Sequence, residues 1–99
     1  MTCYHLISIK KSTKSDKKMM SIFEDCHTGR RKTIHFGAAG MSDYTKHKDS
    51  NRKRLYLARH KNNENWNNPV TAGSLSRWIL WNKTSLQDSI AYYKRKFHF

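Results

Sequence analysis

The sequence divides near residue 40 into a half with strand-like patterning and a half with helical periodicity, and this division limits the fold more than any other feature. Three short runs, within residues 4–10, 19–24 and 32–36, are rich in apolar and β-forming residues and are separated by polar or glycine-containing segments. Short runs between turns predict an antiparallel three-stranded β-meander within residues 1–40. Alternation in the first strand predicts one face with Tyr4, Leu6 and Ser8 and another with His5, Ile7 and Ile9.

Residues after Gly40 predict three helices. The first, over residues 43–61, would be capped by Ser42 or Asp43, and one arc of its surface would face the sheet. That arc consists of Tyr44, Asn51, Leu55 and Ala58. An Asn-rich loop separates this helix from a second one over residues 71–82, which Thr71 can open. Thr84 and Gln87 match a capping box for a third helix over residues 84–97.

Strands followed by helices predict an α+β fold. We expect a single domain over residues 1–99, in which a small three-stranded antiparallel sheet (residues about 4–36) is followed by three helices packed on one face. Three Trp, five Tyr and four Phe residues can supply the core that a chain of this length needs. A disordered basic tail is therefore not expected.

The chain is strongly basic, with 20 Lys and Arg residues against seven Asp and Glu residues and a formal net charge of +13. Because such an excess repels itself when the chain compacts, a neutralising partner is expected. Nucleic acid, an acidic protein surface and an anionic membrane surface all have the required charge. No apolar run approaches the roughly 18 residues that a membrane span requires.

The first residues lack the basic segment and the small-residue cleavage site of a signal peptide, so we expect a protein that is not secreted. In a reducing cell interior, Cys3 and Cys26 would then be free thiols. Together with His5 and His27 they form a weak candidate zinc set, but their spacings differ from those of zinc fingers. We therefore expect neither a metal site nor a cofactor.

Several motifs run from the sheet to the last helix, namely HFG (35–37), SDYT (42–45), HKD (47–49), ARH (58–60), ENW (64–66) and SRWILWNK (76–83). In these motifs the chain resembles a family of small, basic, largely uncharacterised proteins of large eukaryotic DNA viruses, among them chlorella viruses and relatives of mimivirus. The resemblance implies a viral origin, one compact domain, and a location in the virion or the interior of an infected host cell. It implies no catalytic residues.

The predicted basic helix is the main candidate site, because cations on a rigid helix can contact successive phosphates and release condensed counterions. The predicted nucleic-acid-binding residues are Lys46, Lys48, Arg52, Lys53, Arg54, Arg59 and Lys61, with Arg30, Arg31 and Lys32 at a hairpin turn as an extension. An acidic protein partner and a merely solvated helix face are the alternatives. The predicted function is non-catalytic binding of nucleic acid through backbone phosphates, with little sequence preference.

Two other functions compete with this prediction. Helical spacing points Leu80 away from the apolar side of its helix and puts Trp81 at the margin, so the two would form an exposed protein interface. Such a patch and the viral resemblance favour a structural role in the virion, through contacts with capsid or internal proteins. A metal-dependent nuclease that uses His47 and His60 is less favoured, because the few acidic residues are scattered along the chain.

Overall fold

The structure, a computed structural model, describes residues 3–99. Its elements are β1 (Tyr4–Lys11), β2 (Lys17–Asp25), β3 (Arg31–Ala38), α1 (Tyr44–His47), α2 (Ser50–His60), α3 (Ala72–Leu75), a π-helical segment (Ser76–Leu80) and α4 (Leu86–Phe97). The three strands pair antiparallel in the order β1-β2-β3, and the helices follow them. The predicted α+β fold is confirmed, although the second half is cut into more pieces than the three predicted helices. None of the helices in residues 3–99 has the length and apolar character that a membrane crossing requires.

The core lies between one face of the sheet and the later helices. Phe23 and Phe36 from the sheet and Leu75, Ile79 and Tyr93 from the helices are each at most 1% exposed. The buried Tyr93 hydroxyl donates a hydrogen bond to the Pro69 carbonyl at 2.7 Å, which satisfies its polar atom. Burial of these large side chains is the main force that holds the helical half on the sheet.

Strand β1 contains a bulge that changes which side chains reach the core. Leu6 lies opposite Phe23, but Ser8 lies opposite Ile22, so the register shifts between Leu6 and Ser8. Because one extra residue exchanges the two faces of the strand after that point, Ile9 joins Leu6 against the core and Ile7 is left 41% exposed. The expectation that Ser8 shares the face of Leu6 is wrong for this reason.

The predicted helix over residues 43–61 is two helices. Lys48 adopts a left-handed conformation (φ 56°) and ends α1, and Asp49 then caps α2. The Asp49 carboxylate accepts hydrogen bonds from the backbone N–H groups of Asn51 and Arg52, at 2.9 and 3.3 Å. Asp49 is thus a second capping aspartate inside the predicted helix, and it allows the backbone to end one helix and begin another.

The other two helix predictions hold with shifted boundaries. Thr71 caps α3 as expected, but a π-helical segment continues the chain to Leu80. The last helix begins at Leu86 because the Ser85 hydroxyl accepts from the Asp88 N–H at 3.3 Å, one position later than the predicted box at Thr84. It ends at Phe97, as predicted.

Helix α2 is attached to the body along one side, mainly by polar and aromatic groups. The Tyr56 ring stacks on Trp81 at 4.1 Å with an interplanar angle of 4°, and the His60 ring stacks on Tyr56 at 4.2 Å. The Lys53 ammonium donates to the Asn82 carbonyl at 2.7 Å. Burial raises the pKa of the Tyr56 phenol to about 12, and the negative charge of Glu64 adds to this effect.

The prediction that one arc of this region packs against the sheet is therefore wrong. Asn51 and Ala58 are exposed, and Leu55 is 47% exposed. Helix α2 instead packs on the protein body through the rings of Tyr56 and His60 and the aliphatic stem of Lys53.

A buried ion pair fixes the start of α1 against the sheet. The Lys18 ammonium lies 2.6 Å from the Asp43 carboxylate, which is 1% exposed and also accepts from the Thr45 N–H at 2.9 Å and from the Thr45 hydroxyl. Burial alone would raise the pKa of Asp43, but the hydrogen bonds from Lys18 and Thr45 outweigh it and hold the pKa below 3.8. Asp43 is therefore ionised in the folded protein at neutral pH.

A disulfide joins Cys3 to Cys26, which links the start of β1 to the end of β2. The expectation of free thiols is wrong, because antiparallel pairing of the two strands brings the two Cα atoms to 5.3 Å. With both sulfurs in one bond, the candidate zinc set loses its thiolate ligands.

We expect reduction of the disulfide to lower the free energy of unfolding by about 3 kcal/mol, since the oxidised bond restricts a loop of 23 residues in the unfolded chain. Urea unfolding with and without a thiol reductant measures this difference. The double variant Cys3→Ser/Cys26→Ser serves as the control and should not respond to the reductant. Identical midpoints for the oxidised and reduced wild-type protein would contradict the prediction.

Asp43→Asn should destabilise the fold by about 3 kcal/mol, because it removes the charge that compensates the Lys18 ammonium, whose side chain is only 13% exposed. Asparagine still caps a helix, so the loss reports the ion pair. Because folding lowers the pKa of Asp43 from 3.8, its contribution is present above that pH and is lost as the pH falls through the lower folded-state value. Thermal unfolding against pH should show a steeper acid loss for the wild type than for Asp43→Asn. The control Asp16→Asn, at an exposed position, should change stability at neutral pH by less than about 0.5 kcal/mol.

Tyr56→Ala should loosen α2 without unfolding the sheet. We expect a loss of about 2 kcal/mol from removal of the stacked, partly buried ring, with faster hydrogen exchange of the α2 amides than of the β2 amides. Leu55→Ala on the same helix is the matched control and should change stability by less than about 0.5 kcal/mol. Equal α2 exchange in the two variants would show that the ring stack does not hold the helix.

Candidate nucleic-acid interface

The surplus cations are largely unpaired. Of the 20 Lys and Arg side chains, only Lys18 and Arg31 lie within 4.0 Å of a carboxylate in residues 3–99, which leaves 18 without an acidic partner there. The third ion pair in that range joins His60 to Glu64 at 3.4 Å. The basic residues are thus not neutralised within the part of the chain that the structure describes.

The exposed cations of α2 form two flanks, one on each side of an uncharged ridge. Arg52 and Arg59 are seven residues apart, close to two full helical turns, and form the inner flank. Arg54 and Lys61 have the same spacing and form the outer flank. The ridge between them consists of Asn51, Leu55 and Ala58, all exposed.

The inner flank and two ridge residues, Leu55 and Ala58, border a groove between α2 and the end of β3, with a volume of about 1090 Å³. One wall is α2, the opposite wall is the end of β3 with the segment that follows it, and the floor comes from α3 and the π-helical segment. We call it the α2–β3 groove. Its lining includes Lys17, Phe36, Met41, Arg52, Leu55, Arg59 and Leu80.

The α2–β3 groove combines cationic walls with an apolar floor. Arg52 and Arg59 lie on one wall and Lys17 on the other, while Glu64 is the carboxylate among the lining residues. Glu64 is itself held by the Trp66 indole N–H, which donates to it at 2.8 Å. The groove can therefore accept an anionic group between positive side chains.

Sequence reasoning did not find the opposite wall of this groove, since Lys17 and Met41 lie outside the motifs. One signal was present: the HFG and ARH motifs, residues 35–37 and 58–60, both line the groove completely. Their meeting point could not be placed from sequence, because it depends on the packing of α2 beside the sheet.

Lys53, unlike the other α2 residues predicted to bind phosphate, is partly buried and used within the fold. Its ammonium is bound to the Asn82 carbonyl and lies 4.9 Å from the centre of the Tyr44 ring. Burial lowers the pKa of Lys53, and the nearby charges of Arg77 and Lys83 lower it further. The remaining members of the predicted set are exposed, namely Lys46, Lys48, Arg52, Arg54, Arg59 and Lys61.

The hairpin cations lie at the other end of the sheet. Six strand positions separate Arg31 from Gly37 at the α2–β3 groove, which corresponds to about 20 Å. Arg30, Arg31 and Lys32 are exposed, but the structure does not bring them together with the α2 cations. They form a separate patch.

The predicted interface of Leu80 and Trp81 is not an exposed apolar patch. Leu80 is 4% exposed and packs on Gly37, where a Cβ atom would lie 2.6 Å from the Leu80 methyl group. The π-helical segment rotates Leu80 inward compared with a regular helix. Trp81 stacks on Tyr56 and lies 5.3 Å from the His47 ring, so its ring is used within the fold.

The part of the chain that the structure describes contains no metal-binding cluster that could serve a nuclease. Within residues 3–99, no three His, Cys, Asp or Glu side chains are close enough to share one metal ion. The His47 Nδ1 atom accepts from the Asp49 N–H at 2.9 Å, and His60 stacks on Tyr56. Both rings therefore have structural contacts that explain their positions.

Comparison with known proteins gives a family match. Residues 7–60 match the model of a family of unknown function (DUF5754). This range contains most of the sheet together with α1 and α2, and therefore both flanks of α2 except Lys61. No curated protein and no solved structure shows a significant match. Because the match spans more than half of the 99 residues, the chain belongs to the family DUF5754.

Proposed function

We propose that the protein binds nucleic acid through backbone phosphates and catalyses no reaction, as part of a virion or inside an infected host cell. The observation that carries this proposal is the set of exposed cations on α1, α2 and their ends. Six such side chains lie between residues 46 and 61, none within 4.0 Å of a carboxylate in residues 3–99. A surface of this kind lowers its self-repulsion when phosphates replace its mobile counterions.

The expected binding depends strongly on salt. Six phosphate contacts correspond to a loss of about a thousandfold in affinity between about 50 and 200 mM salt. Since phosphates carry no sequence information, we expect little preference among sequences of equal length.

A protein partner with an acidic surface is the second candidate, and it includes the virion structural role. It is favoured by two exposed apolar side chains in the α2–β3 groove, Met41 at 66% and Leu55 at 47% exposure. Apolar contact surface makes protein association less sensitive to salt than phosphate binding.

Removing the outer flank with Arg54→Gln/Lys61→Gln should weaken nucleic-acid binding by about tenfold or more and reduce the slope of log affinity against log salt by about 2. Fluorescence anisotropy with labelled DNA and RNA at several salt concentrations measures both quantities. The matched control, Lys10→Gln/Lys14→Gln, removes the same charge from exposed positions at the β1–β2 hairpin and should change affinity by less than about threefold.

Two outcomes would overturn the proposal. In the first, micromolar protein leaves DNA and RNA unbound at about 50 mM salt. In the second, both double variants lose affinity equally, which would show that net charge rather than the α2 surface is responsible.

A further inference from the structure

We propose that α2 inserts into the major groove of duplex DNA, so that duplex DNA is the preferred nucleic acid. This inference rests on the proposed function and names its substrate class. Its basis is the arrangement of α2 in cross-section: an uncharged exposed ridge lies between the inner and outer cationic flanks. Two parallel rows of cations separated by a neutral ridge match two phosphate backbones separated by base edges.

The dimensions agree with this arrangement. An α-helix with its side chains is about 10–12 Å wide, and the major groove of B-form DNA is about 12 Å wide and 8.5 Å deep. Within each flank the two cations are seven residues apart, a rise of about 10 Å along the axis. Each flank can therefore follow one backbone over two contacts.

The way α2 is attached leaves the ridge free. The contacts of Tyr56 with Trp81 and of Lys53 with Asn82 hold the side of the helix that is turned to the protein body. Leu55, on the ridge, is one of three large hydrophobic residues that are exposed within residues 3–99. Leu55 lies at the edge of the α2–β3 groove, and the exposed part of its side chain is explained when it contacts apolar base edges such as thymine methyl groups.

The α2–β3 groove gives one DNA backbone room beside the helix. Its walls present Arg52 and Arg59 on α2 and Lys17 across the opening, so a backbone in this position would meet cations on two sides. No Asp or Glu occurs between Ser50 and His60 to repel phosphates on either flank. Without such a recess the protein body would block the approach of α2 to a duplex on its inner side.

The same geometry disfavours the other nucleic acids. The major groove of duplex RNA is deep and narrow, so a helix cannot enter it as it enters that of DNA. A single strand presents one backbone and thus engages one flank. Single-strand sites also use free aromatic faces for base stacking, whereas Tyr56 and Trp81 stack on each other here.

The inference can be tested with the full chain and four probes: a short mixed-sequence DNA duplex, the same sequence as an RNA duplex, and each as a single strand. We expect the DNA duplex to bind at least about tenfold more tightly than the others at equal salt. We also expect bound protein to protect guanine N7 from dimethyl sulfate, since that atom lies in the major groove.

The critical variant is Leu55→Glu, which puts a negative charge on the ridge and should weaken duplex binding by about tenfold or more. Ile7→Glu is the matched control, because it makes the same chemical change at another exposed position, on the β1 bulge, and should alter affinity by less than about threefold. If Leu55→Glu lowers the unfolding temperature, Ala58→Glu on the same ridge takes its place.

The outcomes separate the two proposals. Salt-dependent binding with equal affinity for DNA and RNA, or without N7 protection, would overturn insertion of α2 and leave phosphate binding intact. Absence of binding to all four probes would overturn both. Binding to poly-glutamate but to none of the nucleic acids would overturn both in favour of an acidic protein partner.

Discussion

The stack of Tyr56 on Trp81 determines what the basic region can do, because it joins α2 to the helical layer. The two rings are nearly parallel, and the His60 ring adds a third layer that ends beside Glu64. A helix held along one narrow side keeps most of its circumference in solvent. The exposed ridge, both cationic flanks and the α2–β3 groove all follow from this single line of attachment.

Several acidic residues accept hydrogen bonds from backbone N–H groups, and few in residues 3–99 form ion pairs with Lys or Arg. Asp25 accepts from the N–H groups of two residues in its hairpin turn, Asp43 caps α1, and Asp49 caps α2. Backbone hydrogen bonds from His27 and Thr28 lower the pKa of Asp25 accordingly. A chain with seven acidic residues that places several of them at caps and turns has few left to balance 20 cations. The positive surplus is thus exposed by the same local interactions that shape the fold.

Sequence periodicity was enough for the sheet, its order and the final helix, since each depends on residues near one another in the chain. The β1 bulge was not foreseeable, because a single inserted position exchanges faces without changing composition. The break between α1 and α2 has a signal in the sequence, because Asp49 followed by Ser50 is typical of a helix N-terminus. The prediction of one continuous helix followed the charge pattern and did not use this signal. The contact between Tyr56 and Trp81 joins residues 25 positions apart, and the inward turn of Leu80 depends on a π-helical segment. Neither follows from local pattern, and so the α2–β3 groove could not be predicted.

The cationic side chains of this protein are of two kinds, those bound within the fold and those exposed to solvent, and net charge alone does not distinguish them. Lys53 and Arg77 donate to the carbonyls of Asn82 and Trp81, at 2.7 and 2.9 Å, where the π-helical segment ends and carbonyl groups lack helical partners. Burial lowers the pKa of each, and Arg77 also lies over the Trp78 ring at 4.2 Å. Lys18 is likewise committed to Asp43. These three side chains stabilise the fold, so the proposed binding of nucleic acid depends on the exposed population. On α2 that population lies on two flanks, which is why the proposed interaction depends on the shape of the nucleic acid and not only on its charge.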